Sequence, residues 1–330
     1  QRRVRQVHQS AVQVIRLAPT LTPPQGGVFF GATPSHQARW RRYLQSRPMT
    51  FLTLLTQAER SHQSLLCVGL DPDTAKFPLH WRGDANKIFD FCAAIVDATA
   101  DQAIAFKPQI AYFASHGAES QLERLMTHLR ATAPQVPVIL DAKRGDIGNT
   151  AEQYAKEAFE RYGADAVTLS PFMGQDSVQP YLRYPGKGAF LLCRTSNPGG
   201  DDFQNQRLQS LPGTPRLYEH IAQLAQGRWN DNGQLGLVVG ATYPQELERV
   251  RALAPTVPLL IPGVGAQGGD AQATVRAAWR GTADHTSGPI AVNASRSIIY
   301  ASSGADFAQA ARREAMALRE TLQQARVFGA

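Results

Sequence analysis

V-P-V-I-L-D-A-K-R-G-D-I-G-N-T, Val136 to Thr150, is the stretch around which the rest of the chain is organised. An aliphatic, largely β-branched run, Val136 to Leu140, follows Pro134 and takes in Pro137. Apolar β-formers bounded by breakers read as a buried strand. Side chains alternate faces along a strand, so Ile139, Asp141 and Lys143 point one way while Val138, Leu140 and Ala142 point the other. Gly145 and Gly148 end the strand. The pattern A-E-Q-Y-A-K-E-A-F-E-R-Y that follows reads as a helix, with Asn149 or Thr150 placed to cap it. One strand thus carries an acid and an amine to one face at its C-terminal end, and a second acid, Asp146, follows in the loop. A rim salt bridge would explain an isolated Asp-x-Lys. Three charges closing so apolar a run point instead to a site, because interior charge is costly unless paired.

The +7 formal charge and pI near 9.5 raise the question of nucleic acid. Location answers it. Residues 1–48 hold eight arginines and no Asp or Glu, so the remaining residues are within one charge of neutral. No basic patch continues into the body, which argues against a nucleic-acid arm. The domain reading is therefore 1–48, a basic N-terminal extension, disordered or non-native, and 49–330, a single catalytic domain. Met49 is expected to be the functional start, and an organelle-targeting peptide is the alternative for the leader. An amphipathic helix begins just after Met49 with Phe51, Leu52, Leu54, Leu55 and Ala58. No run approaches the ~18 apolar residues of a membrane span. Cys67, Cys92 and Cys193 are odd in number and far apart, which argues against a disulfide framework or zinc motif and for a reducing, cytoplasmic setting.

From Ser64 onward short apolar runs alternate with helical patterns. Strands are predicted at Leu65–Leu70, Ile104–Pro108, Val136–Lys143, Ala166–Ser170, Ala189–Thr195, Leu235–Ala241, Leu259–Val264 and Ile290–Ala294. Helices fall near 86–101, 118–132, 150–162, 176–183, 215–227, 244–253, 270–279 and 306–325. Eight strand-helix units in about 250 residues predict an α/β fold of the (β/α)8 TIM-barrel class, with a doubly wound sheet as the alternative.

In such barrels chemistry sits at the C-terminal strand ends. Those ends bring Asp71 and Asp73, Lys107, the Asp141–Asp146 group, Ser196 and Arg296 to one rim. The glycines of P-G-V-G-A-Q-G-G, residues 262–269, let backbone amides approach an anion, the next helix N-terminus adds its dipole, and Arg296 can clamp phosphate oxygens. Gly263-x-Gly265-x-x-Gly268 also matches a dinucleotide fingerprint. It arrives at the seventh unit rather than the first, and Asp284 precedes the next strand instead of ending it, so NAD is rejected.

Asp141-x-Lys143-x-x-Asp146-Ile147 with Asn149-Thr150, together with Lys107, the 262–269 loop and Arg296, resembles the orotidine 5′-phosphate decarboxylase family in its longer bacterial branch. The likeness runs from about Ser64 to Ser302. It implies decarboxylation of orotidine 5′-phosphate to uridine 5′-phosphate, the last step of de novo pyrimidine nucleotide synthesis, with no cofactor and no metal. It also implies a homodimer with shared active sites, in which Asp146 and Thr150 reach across the interface. By the same resemblance Lys107, Asp141, Lys143 and Asp146 form the catalytic charge array. Asp71 and Lys107 would hold ribose hydroxyls, Ser196 the pyrimidine amide edge, and Gly265, Gln267 and Arg296 the phosphate loop. Two other readings compete. A metal-dependent keto-sugar-phosphate decarboxylase or aldolase of the same suprafamily should carry an acidic ligand where this chain has Lys107. A non-catalytic phosphate-binding barrel should have lost the charge array.

Overall fold

The computed structural model describes residues 49–265, 268–282 and 286–327. The leader and Gln267, with the expectations placed on them, lie outside the described residues. Eight parallel strands alternate with helices: β1 Leu66–Leu70, β2 Ala105–Pro108, β3 Ile139–Arg144, β4 Ala166–Leu169, β5 Gly188–Arg194, β6 Leu235–Val239, β7 Leu259–Pro262 and β8 Ile290–Ala294. The hydrogen-bonded order runs β2-β1-β8-β7-β6-β5-β4-β3. Isolated parallel bridges, Phe106 to Val138 and Gln109 to Asp141, join the two ends and close the barrel. The TIM-barrel expectation is met.

The helices are α1 Phe51–His62, α2 Ile88–Thr99, α3 Ile110–Ala114, α4 Glu119–Thr132, α5 Gly148–Lys156, α6 Gln175–Leu182, α7 Leu217–Gln226, α8 Pro244–Leu253, α9 Ala271–Ala278, α10 Arg296–Ile299 and α11 Phe307–Val327. Among the described residues no helix is long and apolar enough to cross a membrane.

Period-two alternation on the strands generates two cores. Outward residues such as Val68, Phe106, Leu140, Val167 and Leu191 pack under the helices. Inward residues Cys67, Ala105, Ile139, Ala166, Phe190, Val238, Leu260 and Ala291 fill the barrel itself. α1 closes the barrel at its N-terminal mouth. Its start is fixed by Thr50, whose hydroxyl accepts from the Thr53 amide at 3.1 Å, and by the Phe51 amide donating to the Gly186 carbonyl at 2.7 Å. Phe51 then meets Phe190 edge to face, ring centroids 5.5 Å apart. Burial of Phe51 and Leu55 contributes about 1.5–3 kcal/mol each, which is why this amphipathic helix holds here.

Three local expectations are corrected. The helix after the charged loop begins at Gly148, and its cap position, Ile147, offers no side-chain hydrogen bond. Asn149 and Thr150 are therefore exposed residues of the first turn rather than caps. α5 also passes at Glu157–Arg161 into a π-helical turn, which periodicity alone does not distinguish from a continuous helix. α3 and α10, too short to show a period, were not expected.

Candidate active site

The inward face that buries Ile139 and Ala105 deep in the barrel carries, two residues further on, Asp141 and Lys107. Both are buried. Lys107 Nζ donates to Asp141 Oδ2 at 2.8 Å, and Lys143 Nζ donates to Asp141 Oδ1 at 2.6 Å. One carboxylate therefore bridges two ammonium groups. The Lys107 side chain is 6% exposed, whereas Lys143 is 47% exposed and projects into an open cavity. Burial by itself pushes the Asp141 carboxyl up, but the charges and hydrogen bonds of Lys107 and Lys143 overcome it and hold Asp141 well below the usual carboxylate range. Burial likewise favours neutral Lys107, and the charges of Asp141 and Asp71 reverse that, raising the amine above an ordinary lysine. Buried Lys107 and Asp141 thus each favour the charged form of the other.

Lys143 reaches this position through an unusual backbone. Its φ is 45°, in the left-handed region that non-glycine residues seldom occupy. Pairing of β3 with β4 breaks after Leu140–Val167 and resumes only at Arg144–Leu169. The strand bulges at the residues that carry the charge.

These groups line a cavity of about 720 Å3 at the C-terminal end of the barrel. Asp71, Ser196 and Arg296 line it as well. Asp71 Oδ1 is buried without a hydrogen-bond partner, and so is the hydroxyl of Ser295 on the same wall. Buried polar atoms normally have partners, and two orphans facing one cavity fit a polar ligand. Among the described residues the Arg296 side chain makes no ion pair and stands exposed at the rim.

Ser196 is held by its neighbours. Gly240 after β6 packs so close that a Cβ there would lie 2.8–2.9 Å from Ser196, so only glycine lets the β5 loop cross. Arg194, buried at the end of β5, donates to Glu246 at 2.5 Å and to Asp201 at 2.7 Å, tying that loop to α8. Thr195 and Gln204 bond to each other through main chain and side chain, 2.8 and 2.9 Å.

The glycine loop departs from expectation. Gly263, Gly265 and Gly268 all have positive φ, as a tight turn requires. Yet the amides of Gly265, Gly268 and Gly269 donate to carbonyls within the loop, and Asp270 caps α9 by accepting from the Ala273 amide at 2.6 Å. Those three amides are engaged within the loop, and Arg296 is an exposed cation on the cavity wall.

Asp146 and Thr150 do not join the array within one chain. Asp146 Oδ1 accepts only from the neighbouring Ile147 amide at 2.8 Å, and Thr150 is exposed. Beside them Ile147, Phe172 and Met173 are large apolar side chains 54%, 82% and 42% exposed. Sequence reading gave no role to Thr168, Ser295 or Asn293, which line the cavity. Thr168 and Asn293 lie at inward positions of β4 and β8, so the period-two count that located Asp141 was the signal available for them.

Residues 64–313 match the model of the orotidine 5′-phosphate decarboxylase / HUMPS family. A protein of Albidiferax ferrireducens named orotidine 5′-phosphate decarboxylase is 76% identical over 284 residues, covering 84% of this chain and 99% of its own. One of the same name from Polaromonas naphthalenivorans is 76% identical, covering 84% and 97%. The solved Leishmania donovani OMP decarboxylase is 40% identical with a TM-score of 0.68, covering 82% of this chain and 99% of that one. The Leishmania donovani UMP synthase structure matches at 39% identity and a TM-score of 0.69 over 84% of this chain, which spans 57% of that longer one. A closed eight-stranded barrel with this charge array, matched over most of its length, places the chain in the orotidine 5′-phosphate decarboxylase / HUMPS family.

Proposed function

We infer that this chain decarboxylates orotidine 5′-phosphate to uridine 5′-phosphate, and the observation that carries the reading is the Lys107–Asp141–Lys143 array at the cavity floor. Breaking the bond between C6 and the carboxylate leaves an electron pair on C6 with poor delocalisation. A preorganised ammonium beside that carbon stabilises the developing charge, and Lys143 then transfers a proton from Nζ to C6 as CO2 departs. Asp141, held ionised by its two lysines, sits against the substrate carboxylate and disfavours the charged ground state more than the transition state. Lys107 keeps Asp141 anionic and, with the orphaned Asp71 carboxylate, offers partners to ribose hydroxyls. Ser196 is suited to the pyrimidine amide edge. Arg296 takes the phosphate, whose binding energy orients the ring.

The family spans more than one chemistry. The presence of Lys107 where a metal ligand would stand, and relatives at 76% identity named as decarboxylases, favour this branch. Purified protein given orotidine 5′-phosphate is expected to consume the orotate chromophore at the same rate with and without EDTA. Absence of turnover would sink the reading, and EDTA-sensitive turnover would move it to the metal-dependent branch.

A homodimer with shared sites is supported by half-buried Asp146 and exposed Thr150 lying outside the array in their own chain and by the exposed apolar side chains Ile147, Phe172 and Met173, a patch that a second copy would cover. Refolding Lys143→Ala together with Asp146→Ala in equal amounts is expected to restore about one quarter of wild-type activity. Half the dimers are then mixed, and one of their two sites is intact. No recovery would mean each chain uses its own Asp146. Three buried free cysteines support a reducing, cytoplasmic setting.

A further inference from the structure

Between the paired positions Leu140–Val167 and Arg144–Leu169, three residues of β3 stand opposite a single residue of β4, Thr168. Those three are Asp141, Ala142 and Lys143. A bulge of this kind strands main-chain amides that the ladder would otherwise pair. Here one side chain collects them. The Thr168 hydroxyl accepts from the Ala142 amide at 3.1 Å and from the Lys143 amide at 2.9 Å. It donates to Asp141 Oδ1 at 2.9 Å.

A hydroxyl has one proton and two lone pairs, and this one uses all three. Both lone pairs face N–H donors, so the proton has nowhere to go but the carboxylate. Thr168 is 2% exposed, so no solvent substitutes for any of these bonds. The same atom therefore fixes the rotation of the Asp141 carboxylate and the left-handed turn, φ 45°, from which the Lys143 side chain leaves.

We propose that Thr168 is a positioning residue for the reaction: its hydroxyl sets the Asp141 carboxylate and the Lys143 ammonium against the same carbon. The inference deepens the decarboxylase reading and rests on it. All three bonds of the Thr168 hydroxyl are made to protein groups, so its loss is expected to act on the geometry of the chemical step rather than on nucleotide binding.

Thr168→Val keeps shape and β-branching while removing the proton and both lone pairs. Its kcat is expected to fall about 100-fold, the cost of a displacement of about 1 Å at a reacting centre, with KM for orotidine 5′-phosphate changed less than about threefold. Thr168→Ser keeps the hydroxyl and is expected to recover kcat to within about threefold of wild type. The acid limb of the kcat profile in Thr168→Val should move to higher pH, because Asp141 has lost a donor to its ionised form. A purely structural role would lower the melting temperature without splitting kcat from KM.

Wild type without turnover removes the decarboxylase reading and this inference together. An active wild type with an equally active Thr168→Val removes this inference alone. If valine prevents folding, Thr168→Ser decides, since a folded serine variant with kcat down 100-fold overturns the hydroxyl's role.

Discussion

Lys143→Ala is expected to lower kcat by about four orders of magnitude, the upper end for removal of a general acid, while uridine 5′-phosphate still binds. The alanine deletes the proton donor and one of the two cations on Asp141. It leaves Lys107 and Thr168 in place, so Asp141 stays ionised and hydrogen-bonded. Because Lys143 is half exposed, its loss creates no buried unpaired charge and the fold should keep its melting temperature. Single-turnover kinetics and calorimetric titration with uridine 5′-phosphate check both halves. Turnover within tenfold of wild type would refute the proton-donor role. The same array sets a pH window for stability. Asp141 is depressed when folded, so its contribution is present above the ordinary carboxylate value of about 4 and lost as pH falls through the lower folded value. Lys107 is raised, so its contribution is present below about 10.4 and lost only as pH climbs past the higher folded value. Near neutrality both of these charges persist.

The largest stability effect is expected away from the chemistry, at Arg251. Among the described residues this guanidinium, buried and 1% exposed, has no acidic partner. Its Nε donates to the Ala278 carbonyl at 2.9 Å, one terminal nitrogen to Ala254, Pro255 and Val257 at 2.8–3.0 Å, and the other to Gly288 at 3.2 Å. The acceptors lie at the C-terminal ends of α8 and α9 and in the turns leading to β7 and β8. Helix ends leave orphan carbonyls with partial negative charge, and one fork-shaped cation satisfies two such ends at once. Arg251→Met strands five acceptors. At about 1–3 kcal/mol for a buried unsatisfied group, with water rescuing some, the loss should be roughly 3–5 kcal/mol, or a melting temperature lower by roughly 10 °C. Arg251→Lys should fall between, since three donors on one nitrogen cannot span both helix ends. Thermal unfolding measures it, and a shift under about 2 °C would show the carbonyls to be otherwise satisfied.

Strand periodicity made the barrel legible, because a run such as Ile139-Leu140-Asp141 must bury one side against helices and the other within the sheet. The same count placed Asp141 and Lys143 on one face before any coordinates, while Lys107 was legible as a strand-end residue and joined the array through the family resemblance. It did not reveal the bulge at Ala142–Lys143. A bulge is a property of two strands together, and nothing in β3 alone announces that Thr168 will stand opposite three residues. Thr168 itself reads as an ordinary β-former. The loop after β7 was legible as a turn but its internal pairing was not, since glycine content shows where amides can point and not which carbonyls they find. Asn149 and Thr150 looked like caps because of residue type, whereas the helix starts one residue before Asn149. Arg251 was invisible for a further reason: a lone arginine on an amphipathic helix normally faces water, and only the meeting of α8 with α9 turns it inward.

α1 has a consequence for traffic. With Phe51 wedged beneath Phe190 at the far mouth, the described residues close the reaction chamber on that side, and its doorway lies at the β-strand C-terminal end. Substrate, carbon dioxide and nucleotide product must use that doorway in turn. The plumbing of the barrel, rather than any one side chain, thus makes the nucleotide and the gas share one end of the chamber.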